Sequence, residues 1–536
     1  LKIVEKASRV EDFAAALSEN EALEKIMGSL DTFPNNTQVA EIVGQVITNL
    51  GPNAMIPQVA EQVIELAQTL NTQDAESVEA LNSALAYYSN LLTAPRDPEV
   101  EGDSSKRVSE ALQASLEAAK GDSDLLLSHV KILEKLSNRE PEVRTQIRES
   151  ATSRTLVGLL GEKSDNRQSN QVLKVVKALS SATTSEPQLT IDGQTGEERL
   201  RREEGDGFLH SFILNEGAPI EKLLQVLQEQ STKKGPESEI IIDALTLLNE
   251  VTTGNEKAKN DVIKQNGAAV ITEVNQNRLT GPHARQEGAT LALRVLSNIT
   301  NDKEAYTTIV GDSLIDKIVR DLLEFKYEPV IEGTQGISHI EAGLTLLTNL
   351  ADNTFDHVLL KEKKCPDAVL GLLEKFRQVP RESLAQKTEG VTNAYKVVSH
   401  AQRALRKLFA DALIGRSLLK TQGKEHILGT FNALAETTVA PEEIDAEKLA
   451  QLTEISAQSI PLNQCIQDTL AVIETLAAHS KFGKELSLLD EESTLYQDIL
   501  TLMSNIPDDS AASYRTLQIV KHNLQSLGKE KILENQ

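Results

Sequence analysis

The sequence predicts an all-α solenoid, in which helices stack along one axis. Apolar residues recur at spacings of three and four along nearly the whole chain, and no segment shows a convincing strand alternation. One phrase also returns: a leucine-rich helix ending in a small polar residue, then Asn, usually followed by an apolar residue. It reads Val46-Ile47-Thr48-Asn49-Leu50, Tyr88-Ser89-Asn90-Leu91, Leu136-Ser137-Asn138, Leu247-Leu248-Asn249, Leu296-Ser297-Asn298-Ile299 and Leu347-Thr348-Asn349-Leu350. A unit of roughly 40–50 residues cannot bury its apolar face alone, so copies must stack. Composition agrees. At 536 residues the chain is too long for one compact core, and with 3% aromatic residues and no Trp its interior must be Leu, Ile, Val and Ala, which suit thin helical layers.

Taken in order, residues 1–182 carry Asn49, Asn90 and Asn138 at the ends of long helices without an intervening Gly-Ala breaker, the pattern of two-helix units. Residues 183–207 are polar and Gly-rich, with Gly193-Gln194-Thr195-Gly196 followed by the charged run Glu197 to Glu204, and read as an exposed insertion. Residues 208–411 have the clearest repeat. It opens with Phe212-Ile213-Leu214-Asn215-Glu216-Gly217-Ala218-Pro219-Ile220, where Gly offers a left-handed cap and Pro starts the next helix. Ile263 to Ile271 repeats the opening and Thr290 to Asn298 the long helix. Ile309 to Ile315 with Gly343 to Asn349 gives a third copy, and Cys365-Pro366-Asp367-Ala368-Val369-Leu370 with Ala404 to Ala410 a fourth. Residues 412–536 keep long-helix spacing, as in Leu470 to Ala477, but lose the Asn positions; Thr438 to Glu454 reads as an acidic, irregular joint.

A short helix, Gly-Ala, an apolar helix and then a long helix with Leu-x-Asn resembles the armadillo repeat, with HEAT-like pairs upstream. Asn249 to Asn298 spans 49 positions and Asn298 to Asn349 spans 51, slightly above the ~40–47 of such repeats, which longer loops at Gln276 to His283 and Tyr327 to Gly336 accommodate. The resemblance implies a right-handed superhelix of roughly nine to eleven repeats. It also implies a non-enzymatic scaffold or adaptor that tethers or assembles a partner protein, with a cytoskeletal or ciliary setting among the options. The alternatives it leaves are a regulator of a small GTPase or chaperone ATPase, and a client-specific chaperone.

Lys and Arg number 55 against 80 Asp and Glu, a formal charge of −25. That field disfavours nucleic acid and favours a basic or extended partner segment, or serves solubility alone. Cys365 and Cys465 have no metal-ligand spacing and fit a reducing, cytoplasmic compartment. No run of about eighteen apolar residues spans a membrane. The first residue is Leu, and the opening Lys2-Ile3-Val4-Glu5-Lys6 lacks a signal-peptide core, so the chain reads as a fragment or a processed product.

No catalytic or metal constellation emerges, and no cofactor is expected. Gly158 to Ser164 has the wrong spacing for a phosphate-binding loop and reads as a helix-end turn. The resemblance implies that Asn249, Asn298 and Asn349 face a groove, where a carboxamide both donates to and accepts from a partner backbone; the alternative is that they satisfy backbone groups at helix ends. With no Trp, the tryptophan–asparagine sandwich for Lys stems used by alpha-class nuclear-import receptors is excluded. A second candidate is basic: Lys396, His400, Arg403 and Lys407 share one helical face, beside Val397, Ala401, Ala404 and Leu408 on the adjacent one. It would receive an acidic helix, a phosphorylated segment or a tail, or else pair with acidic neighbouring repeats.

Overall fold

A computed structural model describes residues 56–93, 98–160, 166–180, 189–191, 198–200, 218–233, 237–277, 282–311, 313–327, 335–353, 357–379 and 389–410, and scattered helical residues between 426 and 475. The chain divides into an N-terminal unit, Leu1–Glu186 with Gly205–Val226, and a C-terminal unit, Pro187–Glu204 with Leu227–Gln536.

The N-terminal unit contains α1 (Ile56–Gln68), α2 (Ala75–Leu91), α3 (Pro98–Ala119), α4 (Ser123–Arg139), α5 (Pro141–Glu149), α6 (Thr152–Leu159) and α7 (Asn166–Ser180). Their starts are chemically marked: Asp74 and Asp122 cap α2 and α4 by accepting from Glu76 N and Leu125 N, and Pro141 opens α5. Each helix buries one apolar stripe, shown by Ile56, Val59, Ala60, Val63, Ile64 and Ala67 of α1. At about 2 kcal/mol for each fully buried large aliphatic side chain, these stripes are what hold the layers. Helix α1 packs on α3, α2 on α4, and α4 on α7, so two helix pairs are followed by the triplet α5–α6–α7. The last helices of these repeats, α2, α4 and α7, form one row.

In the C-terminal unit three helices recur per repeat. Helix α8 (Ala218–Thr232), across which the division into units falls, precedes α9 (Ser238–Thr252). Then come α10 (Glu256–Lys264), α11 (Gly267–Asn277) and α12 (Pro282–Asn298); α13 (Lys303–Gly311), α14 (Leu314–Glu324) and α15 (Gln335–Asp352); and α16 (His357–Glu362), α17 (Cys365–Arg377) and α18 (Glu389–Ala410). The long third helices α9, α12, α15 and α18 pack successively on one another and make the most extensive contacts of the unit. The second helices α14 and α17 stack in a parallel layer.

Between first and second helices the left-handed residue is Asn266, with φ 55°, just ahead of Gly267, the first residue of α11; Lys364 takes the same role before α17, with φ 59°. Gly217 lies outside the described residues. The insertion, read as polar loop in an all-helical chain, contains a short hairpin: β1 (Leu189–Ile191) pairs antiparallel with β2 (Glu198–Leu200), Leu189 opposite Leu200 and Ile191 opposite Glu198. Thr190 and Ile191 are β-branched, and a three-residue strand is too short for alternation to register against the helical pattern on either side. The Asn49 phrase, the 183–188 and 201–207 flanks and the joint at 438–454 lie outside the described residues. Gly158 falls inside α6, and 161–165 lie outside.

Candidate functional site

The Asn phrase marks how one repeat is tied to the next. Asn298, the last residue of α12, donates from Nδ2 to Thr252 Oγ1 at 2.9 Å and to Thr253 Oγ1 at 3.4 Å, at the end of α9. Those hydroxyls have already given their hydrogens, Thr252 to Leu248 O at 2.7 Å and Thr253 to Asn249 O at 2.6 Å, so they can only accept. The next step repeats the device. Asn349 Nδ2 donates to Ser297 O at 3.0 Å and Ser297 Oγ at 2.7 Å, and Asn353 Nδ2 to Thr300 O at 2.8 Å and Asn349 O at 2.9 Å. Both amide orientations are therefore fixed: NH₂ faces the preceding repeat. At the second step the acceptor is the small polar residue of the preceding phrase, Ser297, whereas at the first it is Thr252 and Thr253, just beyond Asn249; neither pairing is visible in the sequence until the stacking is known.

The carboxamide oxygens of Asn298 and Asn349 take no hydrogen bond among the described residues, and both side chains are half-buried at the edge of the row. Asn249 is also half-buried, and its backbone carbonyl receives Thr253 N at 3.2 Å. The three Asn residues do line up on the third-helix row. They are not, however, both donors and acceptors toward a partner: at Asn298 and Asn349 the donor half is committed internally.

One turn or two before these Asn residues, the row carries charge. Arg294 of α12 and Lys396 of α18 are exposed, and Glu341 of α15 lies between them electrostatically. Burial pushes the Glu341 carboxyl above its ordinary value, opposed by Lys396 and Arg294, and its Oε1 is buried without a hydrogen bond.

The basic stripe on α18 is brought together as expected, with Val397, Ala401, Ala404 and Leu408 buried on the adjacent face. Its cations pair internally. Arg403 Nε meets Asp468 Oδ2 at 2.9 Å, where Ser399 Oγ also donates, and Lys407 meets Asp352 at 2.5 Å. Burial holds the Asp468 carboxyl above its ordinary value even beside Arg403. His400 is half-buried with Nδ1 3.3 Å from Thr345 Oγ1; burial, then Arg403 and Lys396, lower its pKa to about 4, so it is neutral at pH 7. Of the four, Lys396 alone presents an exposed cation with no ion pair among the described residues.

In the N-terminal unit basic residues replace Asn as ties. Lys135 donates to Ser89 O and Arg139 Nη1 to Leu92 O at 2.8 Å, both at the end of α2, and Arg144 Nε donates to Ser137 O at 2.9 Å; within the α5–α6–α7 triplet Arg148 Nε donates to Leu179 O at 2.5 Å. Cations at helix C-termini meet unsatisfied carbonyls and the negative end of the helix dipole. Asn138 instead donates to Glu134 on its own helix at 2.9 Å.

Among the described residues no group of three His, Cys, Asp or Glu is placed to hold a metal ion, and no helix is long and apolar enough to cross a membrane. Cys365 and Cys465 are free thiols, both buried.

No family model and no curated protein matches the chain. Among the solved structures that resemble it are three engineered proteins. One is 15% identical over 88% of this chain and 93% of its own, with a TM-score of 0.46. Two others are 17% and 19% identical, covering 55% and 56% of this chain and 96% and 99% of their own, with TM-scores of 0.37 and 0.36.

Proposed function

We propose that the protein is a non-enzymatic scaffold of armadillo type that binds a partner polypeptide across the row of third helices α9, α12, α15 and α18. One observation carries the reading: the carboxamide oxygens of Asn298 and Asn349, aligned on successive repeats, are held in place by their own NH₂ groups and accept no hydrogen bond among the described residues. A fixed row of acceptors suits an extended segment, whose backbone N–H groups or Lys and Arg side chains supply donors at successive repeats. Arg294, Glu341 and Lys396 alternate in sign beside it and would set the register of a charged partner. The three-helix repeat, the left-handed residue before the second helix and the long stacked third helix support the armadillo reading, with two-helix, HEAT-like repeats upstream.

Affinity capture from native lysate with three full-length baits tests this. Wild type is compared with Arg294→Glu/Lys396→Glu on the row and with Glu273→Lys on the exposed side of α11. A partner lost from the row variant and kept by the outer variant is the expected result; loss from neither, or equally from both, contradicts the reading.

A further inference from the structure

Residues that are exposed or half-buried trace one stripe along each of the third helices α12, α15 and α18. On α15 it includes Glu341, Thr345, Asn349 and Asp352, spaced by three and four, and on α12 Leu291, Arg294 and Asn298. On α18 the stripe carries Lys396, His400, Arg403 and Lys407. Arg403 and Lys407 are paired with Asp468 and Asp352 and His400 is neutral, so Lys396 is the open charge there.

Arg294, Glu341 and Lys396 come to one level across the stack. Lys396 follows Glu341 by 55 positions, the offset that sets Thr345 beside His400 and Asp352 beside Lys407. The tie between Asn349 and Ser297, 52 positions apart, puts Ala289 of α12 opposite Glu341, so Arg294 starts just over one turn further along. Long helical side chains lean back toward the N-terminus of their helix, which returns its guanidinium toward that level. Both cations act on the Glu341 carboxylate, yet neither bonds it: Glu341 Oε1 is buried without a hydrogen bond, and Arg294 and Lys396 are exposed, with no ion pair among the described residues. Withdrawing a carboxylate from water without a donor is costly, and burial accordingly raises the Glu341 pKa. A cationic side chain arriving from the open side supplies at contact what Arg294 and Lys396 supply only at a distance.

We propose that this row selects a polypeptide segment in polyproline II conformation whose charges recur every third residue in the order acidic, basic, acidic, with the basic side chain on Glu341 and the acidic ones on Arg294 and Lys396. The proposal rests on the scaffold reading and supplies the partner's charge sequence. Its spacing follows from dimensions. Packed helices lie about 8–10 Å apart, and polyproline II returns to the same face every three residues, after about 9.3 Å. A β-strand would place same-face side chains about 6.6 or 13 Å apart, out of step with the helices. Polyproline II makes no internal hydrogen bonds, so its backbone N–H groups stay free for acceptors of the row.

The test is fluorescence anisotropy of the full chain at low salt with three fluorescein-labelled, C-terminally amidated peptides. The matched one is Asp-Pro-Ala-Lys-Pro-Ala-Asp, the inverted one Lys-Pro-Ala-Asp-Pro-Ala-Lys, and the clustered one, of the matched composition, Asp-Lys-Asp-Pro-Ala-Pro-Ala. The matched peptide is expected to bind roughly tenfold or more tighter than either control. The −25 field of the chain favours the net-positive inverted peptide, so such a preference cannot come from overall charge. Arg294→Glu/Glu341→Lys/Lys396→Glu should reverse it. Glu341→Gln, with an unchanged circular dichroism spectrum, should weaken the matched peptide severalfold, and Glu273→Lys on α11 should not. No binding, equal binding of the three peptides, or a preference unchanged in Glu341→Gln overturns the proposal. Capture from lysate that depends on Arg294 and Lys396, together with no selectivity among the peptides, keeps the row as the binding face and removes its charge pattern; failure of both removes both.

Discussion

At the scale of single residues, the Asn positions answer a question that the sequence posed and left open. A carboxamide at a helix end can serve a partner or the fold, and here the NH₂ half serves the fold while the proposed function assigns the oxygen to a partner. Replacing Asn349 by Ala removes both bonds to Ser297 and is expected to destabilise by about 1–2 kcal/mol in urea titration; Asn298→Ala, which loses one good bond, costs about 1 kcal/mol. A Thr252→Val/Asn298→Ala double-mutant cycle should show coupling of about 0.5–1 kcal/mol, and strict additivity would mean that the contact carries no energy. Lys364 sits in the left-handed region at φ 59°, so Lys364→Gly is expected to raise stability by up to about 1 kcal/mol, read as an increase in Tm. His129 is buried, its Nδ1 donating to Leu125 O at 2.9 Å and Nε2 accepting from Ser115 Oγ at 2.9 Å; burial lowers its pKa to about 4. The unfolded chain takes up a proton below about pH 6.5 and the folded one only near 4, so this histidine's contribution is intact above 6.5 and is lost progressively as pH falls toward 4, by about 3 kcal/mol in all. His129→Gln should flatten that stretch of the stability–pH curve; an unchanged slope would contradict the assignment.

At the scale of elements, helices were legible because each needs only its own apolar stripe, as Leu314, Ile315, Ile318, Val319 and Leu322 of α14 illustrate. The basic face of α18 was legible for the same reason. What it touches was not: Asp352 and Asp468 lie 55 and 65 positions from their partners and arrive from other repeats. The same holds for the acceptor role of Ser297, and for β1–β2, whose strands are too short to announce themselves. Close approach between α14 and α15 is another such property. A Cβ on Gly343 would lie 3.3 Å from Ile318 Cγ2, so Gly343→Ala is expected to be near neutral, helix propensity offsetting the squeeze. Gly343→Leu, by contrast, should cost about 1–3 kcal/mol by overpacking, with a matching fall in the denaturation midpoint.

For the molecule as a whole, net charge pointed to basic partners, while the distribution of that charge is uneven. Outer helices α1 and α3 are acidic, α4 and α7 are basic, and α12, α15 and α18 alternate. A summed charge cannot express this, because the sign of a face depends on which helices stack into it. A scaffold of the kind proposed would offer chemically different surfaces to different segments, with the third-helix row as the principal one. Site-specific photocrosslinking tests that claim most directly. A benzophenone amino acid is placed at Arg294 or Lys396 on the row and, as a comparison, at Glu273 on α11, and the full chain is irradiated in native lysate. Discrete polypeptide adducts from the two row positions and none from Glu273 are the predicted result; adducts from Glu273 alone, or from no position, would contradict the assignment of the binding face.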